Sequence, residues 1–160
     1  MTEKIAFFDM DGTILGNYNH QKGEGNTSWS QLAKAVGEDA LEEKKRINER
    51  WCNNEIKTYP IWVKETLDAY KERGLDEQTF NSVIKGAEYN IGVRKAFDLI
   101  NEYDINTVIL TGEFKRLARI VKQELKVDHF VAACEILWDD GGNICGNNIM
   151  PLDRDGKNKS

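Results

Sequence analysis

Two aspartates one residue apart, Asp9 and Asp11, followed by Gly12 and Thr13 and preceded by the apolar run Ile5-Ala6-Phe7-Phe8, carry the most chemistry in this 160-residue chain. Four apolar residues leading into two acids read as a buried strand that presents carboxylates at the mouth of a sheet, where open α/β proteins bind ligands. A carboxylate with a reference pKa of about 4 is ionised at neutral pH, so Asp9 can attack without a base. It cannot approach a phosphate dianion unaided, since like charges about 4 Å apart repel by several kcal/mol at intermediate dielectric. A cation is required, and Mg²⁺ suits one or two carboxylates completed by phosphate oxygens. No other ligand set competes: His20 and His129 lie far apart in the chain, and Cys52, Cys134 and Cys145 lack zinc spacing. Asp11 is placed to protonate a leaving alcohol and then to take a proton from water. Gly12 permits a sharp turn that brings amides toward the phosphate.

Plainer readings compete. A calcium loop starting at Asp9 would need Gly at its sixth place and Glu at its twelfth, and those places hold Ile14 and His20. A polar turn after a strand uses the same residue types, and Asp153-Arg154-Asp155-Gly156, with no apolar run before it, is read that way.

A second signal is Thr111-Gly112, which ends the apolar run Val108-Ile109-Leu110 and opens the helical pattern carrying Phe114. A hydroxyl and free amides at a helix N-terminus make an anion site, although Thr111 can equally be a simple cap. Parallel strands end on one side of a sheet, so Asp9, Asp11 and Thr111 are expected to converge. The third signal is Lys157 near the chain end, a point charge suited to offset crowded anions, with an exposed polar tail as the alternative.

The elements that must position these residues have two textures. Over 1–16 and 88–145, β-branched runs alternate with helical spacing as in βαβ construction. Val93, Ala96, Phe97 and Ile100 predict a helix, Thr107 to Leu110 a strand, Phe114 to Leu125 a helix, and Phe130 to Ala133 a strand. Asp139-Asp140-Gly141-Gly142-Asn143 predicts a hairpin turn between Ile136-Leu137-Trp138 and Ile144-Cys145. Over 27–85 the spacing predicts only helices: 29–36, 39–52, 60–73 and a short one after Asp76. Trp29, Trp51, Trp62, Val63, Leu67 and Tyr70 are expected to fill the core of that bundle. Glu42, Glu43, Lys44, Lys45, Arg46, Glu49 and Arg50 read as a solvated face with Glu42 and Arg46 paired at i, i+4. The segments 16–26 and 86–92 read as linkers into and out of it.

A net charge of −5 argues against nucleic acid, which is approached with excess Lys and Arg. The four apolar residues before Asp9 are too few for a signal peptide, and no apolar stretch is long enough to cross a bilayer. The expectation is a cytoplasmic protein without membrane or nucleic-acid partners, its three cysteines being free buried thiols.

Together these residues resemble the haloacid dehalogenase superfamily of phosphohydrolases, in its phosphoserine phosphatase-like branch. Asp9-Met10-Asp11-Gly12-Thr13 is similar to motif I, Val108 to Gly112 to motif II, and Lys157 to motif III, with Lys159 as its alternate. The resemblance implies a three-layer Rossmann-like parallel sheet over 1–16 and 88–160, with a helical cap over 17–87. It implies Asp9 as the residue that forms an aspartyl-phosphate, Asp11 as acid and base, and Lys157 steadying the nucleophile. Gly12, Thr13, Thr111 and Gly112 would hold the phosphate of a small phosphorylated metabolite, and Mg²⁺ would sit on the Asp9 carboxylate and the Asp11 carbonyl. Family members carry a further Gly-Asp strand some two dozen residues past the motif III lysine, so the C-terminal part of the core is expected to be missing here. The glutamate that reads the substrate amine in phosphoserine phosphatases is matched by Thr27 or Ser28, with Glu24 nearby. Phosphoserine is then one candidate among small phosphomonoesters. The alternatives are a non-catalytic phospholigand-binding homologue and a receiver-type phospho-acceptor domain, which would lack the helical insert.

Overall fold

The structure is a computed structural model that describes residues 4–16, 27–103 and 105–151. The first strand, β1 (Ile5–Phe8), is followed by four helices: α1 (Ser28–Val36), α2 (Glu38–Cys52), α3 (Tyr59–Glu72) and α4 (Glu77–Lys85). Then come α5 (Val93–Glu102), β2 (Asn106–Phe114), α6 (Lys115–Leu125), β3 (His129–Trp138) and β4 (Ile144–Ile149). The sheet order is β1-β2-β3-β4, with β1, β2 and β3 parallel and β4 returning antiparallel as a hairpin. This is the α/β architecture expected from the alternating textures, with four helices placed in sequence between β1 and α5.

Local signals account for the helix limits. Thr27 caps α1 by accepting from Ser30 N, Asp76 caps α4 by accepting from Thr79 N at 2.7 Å, and Pro60 stands in the first turn of α3. The hairpin turn closes as predicted, Asp139 N donating to Asn143 O at 2.9 Å.

Helices α5 and α6 cover the sheet face carrying Phe8, Ile109 and Thr111, with Phe8 against Phe97 at 4.7 Å between ring centroids. The opposite face is the more open one: Phe7 is 63% exposed and Val131 44%. This corrects the reading of Ile5 to Phe8 as a buried strand. Among the described residues β1 is the sheet edge, with one neighbouring strand and its outward face bare, so burial falls instead on Met10, Ile14 and Leu15 in the turn that follows. The strands also run longer than predicted, because β3 is continuous through Ile136 to Trp138 and β2 continues to Phe114.

The aromatic residues of the insert are not a separate bundle core. Trp29, Val63, Leu67 and Tyr70 are buried, but they belong to one apolar cluster that includes Ile109, Phe114, Leu117 and Val121 of the sheet layer. Trp29 packs on Phe114 at 4.3 Å. Trp51 and Trp62 are only partly buried and flank a smaller cluster of Ile47, Ile56 and Ala69. The charged run of α2 differs as well. Arg46 pairs with Glu43 at 3.2 Å rather than with Glu42, and Lys44 is buried on the same helical face as Ala40 and Ile47. Of the cysteines, all free, only Cys134 is buried; Cys52 and Cys145 are exposed. Among the described residues no helix is long and apolar enough to cross a membrane.

Candidate functional site

Parallel pairing of Phe8 with Ile109 sets the end of β1 beside Leu110 and Thr111 of β2, so the acids after β1 and the hydroxyl on β2 meet as the topology argument required. They line a cavity of about 330 Å³, with Asp9, Asp11, Thr111, Gly112 and Glu113 on the sheet side. Thr27, Trp29, Lys44, Asn48, Tyr59 and Trp62 line it from the helical insert.

Asp9 is exposed, and its Oδ1 accepts from the Met10 amide at 2.7 Å, which fixes the carboxylate at the strand end. Gly12 takes the left-handed conformation at φ +74°, as a turn glycine should. Its amide donates to Leu15 O at 2.8 Å and the Thr13 amide faces Met10 O at 3.4 Å, so both serve the turn, and neither residue lines the cavity. Asn90 ties this turn to the segment returning from the insert, its side-chain amide donating to Thr13 O at 3.0 Å.

Thr111 and Gly112 do not open a helix. The strand runs on through a bulge between Thr111 and Phe114, α6 starts only at Lys115, and its N-cap residue Phe114 makes no side-chain cap. The Thr111 hydroxyl instead accepts from the Glu113 amide at 3.1 Å inside the bulge, where it faces the cavity beside Gly112. Tyr59 lies across Gly112 and donates its hydroxyl to the Gly112 carbonyl; a Cβ there would stand 3.4 Å from that hydroxyl. The other candidates, Lys157, Lys159, Glu24 and the Asp153 to Gly156 turn, lie outside the described residues.

Glu113 and Lys44 escape sequence reasoning. Glu113 is 5% exposed, accepts a hydrogen bond from the Ser28 hydroxyl of α1, and shares a hydrogen bond with Asp11. Burial, with the negative field of Asp11 added, pushes its carboxyl well above the usual range. Burial also raises Asp11, partly offset by the bond to Glu113, and Asp9 pushes in the same upward direction. Both shifts run in the direction that favours protonation of this pair, which lies beside the exposed Asp9. The signal for Glu113 was its two-residue register with Thr107, Ile109 and Thr111, the buried alternate positions of β2. The signal for Lys44 was its i, i+4, i+7 spacing with Ala40 and Ile47.

This pair makes stability pH-dependent in a defined direction. Glu113 binds its proton more tightly in the native than in the unfolded chain, so stability falls as pH rises from its ordinary value of 4.5 through the raised native one. The slope is at most about 1.4 kcal/mol per pH unit per proton. Glu113→Gln can keep the bond from Ser28 and cannot ionise. Its urea unfolding midpoint is expected to gain on wild type between pH 5 and pH 8; a difference that does not change with pH rejects this account.

The donor chemistry fits Mg²⁺, because Asp9 brings a hard carboxylate oxygen to the cavity that Asp11, whose backbone carbonyl is the other expected ligand, also lines, and Mg²⁺ takes the remainder of its shell from water and phosphate. Among the described residues no group of three or more His, Cys, Asp or Glu is arranged to hold a metal, so a closed all-protein cage is not the geometry.

A mostly parallel sheet with acids after its first strand, a hydroxyl near the end of the next and a four-helix insert between them is similar in fold to solved phosphoserine phosphatases and HAD family hydrolases. A phosphoserine phosphatase solved as a phospho-aspartyl intermediate analogue aligns with a TM-score of 0.73 at 17% identity, covering 93% of this chain and 64% of that one. A HAD family hydrolase from Salmonella enterica serovar Typhi aligns with a TM-score of 0.75 at 15% identity, covering 92% of this chain and 46% of that one. Phosphoserine phosphatase from T. onnurineus aligns at 21% identity with a TM-score of 0.59, covering 92% of this chain and 64% of that one. The chain thus spans less than two thirds of the length of these structures, and at such identities the likeness is one of fold. No protein-family model and no curated protein sequence matches it.

Proposed function

We propose that this chain carries the catalytic centre of a Mg²⁺-dependent phosphomonoester hydrolase that works through an aspartyl-phosphate on Asp9 and acts on a small phosphorylated metabolite. The observation that carries this reading is the cavity in which Asp9 and Asp11 meet Thr111 and Gly112 beneath the helical insert. Bound Mg²⁺ would rest on Asp9 and Asp11 and supply the positive charge that lets a phosphate dianion approach a carboxylate. The Asp9 carboxylate, fixed by the Met10 amide, attacks phosphorus as the ester oxygen leaves. Asp11, whose raised pKa favours the protonated form, gives that oxygen its proton. In the second step Asp11, now a carboxylate, accepts a proton from the water that attacks phosphorus, and Asp9 is released with inorganic phosphate. Thr111 offers its hydroxyl to the phosphoryl oxygens, and Trp29, Tyr59 and Trp62 limit the leaving group to a small one while shedding water. Lys157 is assigned the role of neutralising the phosphorylated carboxylate.

The receiver-domain reading fails on topology, because four helices stand between β1 and α5. The covalent step is tested by acid-quenching the protein during turnover of p-nitrophenyl phosphate with Mg²⁺. A mass gain of about one phosphoryl group on the peptide containing Asp9 is expected. Turnover with the label on another residue removes Asp9 from the nucleophile's role.

A further inference from the structure

Among the described residues the helical insert contributes a single charged side chain to the cavity lining, Lys44 of α2, and nothing in the phosphoryl-transfer scheme uses it. A lysine only 7% exposed is uncommon unless an anion answers it. Among the described residues no hydrogen bond or ion pair holds its ammonium, and its side chain lines the cavity. The one carboxylate whose field reaches it, Glu113, is already bound to Ser28 and shares a hydrogen bond with Asp11. Burial pulls Lys44 toward its neutral form, a cost that an anion docked beside it would remove.

The neighbours of Lys44 point the same way. Asn48, one turn further along α2, accepts from Trp62 Nε1 at 3.0 Å through its Oδ1, which leaves its amide N–H groups to donate. Thr27 spends its hydroxyl capping α1, accepting from Ser30 N at 3.2 Å. Among the described residues the insert therefore lines the cavity with donors, one cation and aromatic faces, and with no carboxylate.

We propose that Lys44 and Asn48 are specificity-determining residues, and that the phosphomonoester accepted here carries a second anionic group on the part of the molecule facing the insert. This inference rests on the phosphohydrolase reading for its orientation, with the phosphoryl group at Asp9 and the leaving group toward α2. A cavity of about 330 Å³ holds a compact molecule, so the two anionic groups are separated by only a few bonds. A carboxylate and a second phosphate share the chemistry that Lys44 would read.

The test compares probes of similar size with Mg²⁺ present: phosphoglycolate and ethylene glycol bisphosphate, which carry a second anion, ethyl phosphate, which is neutral there, and phosphoethanolamine, which is cationic. Each is measured twice, as kcat/KM with wild type and as Kd by calorimetry with Asp9→Asn. At least one dianionic probe is expected to exceed ethyl phosphate by about 10- to 100-fold, the range of a charge-assisted hydrogen bond, with phosphoethanolamine weakest. Lys44→Met should shrink that ratio to within about threefold, chiefly through KM, and Lys44→Arg should restore most of it. Asp9-dependent hydrolysis at equal kcat/KM for all four probes overturns this inference and leaves the hydrolase standing. A Lys44-dependent ranking of Kd without any turnover supports it while the catalytic reading falls. Absence of both turnover and ranking overturns both.

Discussion

Asp9→Asn is expected to lower Mg²⁺-dependent hydrolysis of p-nitrophenyl phosphate by roughly 10³-fold or more and to leave the thermal unfolding midpoint nearly unchanged. Asn is the same shape as Asp, and its Oδ1 can still accept the Met10 amide hydrogen bond that fixes position 9. The side chain is exposed, so no buried charge is lost. What disappears is the negative charge that the proposed mechanism uses to attack phosphorus. Asp11→Asn should also be slow but for another reason: attack remains possible while protonation of the leaving oxygen does not. The p-nitrophenolate leaving group needs little protonation, so this variant should lose less on the aryl phosphate than on an alkyl phosphate. The two variants are checked by steady-state turnover on both esters, with far-UV circular dichroism and thermal melts as the folding control. Unaltered aryl phosphate turnover in Asp9→Asn would end the covalent mechanism.

The reading from sequence succeeded where local chemistry sets structure and failed where tertiary contact does. The four helices of the insert were legible because Thr27, Asp76, Pro60 and the glycines at 37 and 74 punctuate clear 3.6-residue periodicity. The meeting of Asp9 and Asp11 with Thr111 followed from strand parallelism alone. Lys44 was hidden because eight other charged residues of α2 surround it in sequence; only its register with Ala40 and Ile47 separates it from them, and a charge on an apolar face reads first as an exception. Glu113 was hidden because the bulge after Thr111 is invisible to periodicity. An expected helix start at Gly112 would have turned the following side chains outward, whereas the continuing strand buries Glu113 beside Asp11. A missing strand was expected to leave an apolar edge exposed, but that β1 forms it could not be read, since four consecutive apolar residues look alike whether one or two strands flank them.

Phe114→Ala is expected to cost about 3–5 kcal/mol, a large share of the ~5–15 kcal/mol that holds a domain of this size together. Phe114 ends β2, is 1% exposed, and touches both halves of the fold. Its ring lies 4.3 Å from Trp29 of α1 and meets Phe80 of α4 edge-on at 5.1 Å. Truncation would open a void between the sheet and the insert that neither side can fill, because Tyr70, pinned by its hydroxyl to Trp29 O at 2.7 Å, cannot move in. Since one apolar cluster runs through both parts, the loss should not be confined to either. Urea unfolding followed by tryptophan fluorescence, which reports mainly Trp29, Trp51 and Trp62 of the insert, and by far-UV circular dichroism, which reports the whole chain, should shift to lower midpoints together. Phe114→Leu keeps most of the volume and should lose under ~1.5 kcal/mol. If fluorescence moves and circular dichroism keeps a separate wild-type transition, the insert has its own core, and the packing of Trp29 on Phe114 does not couple β2 to the helices of the insert.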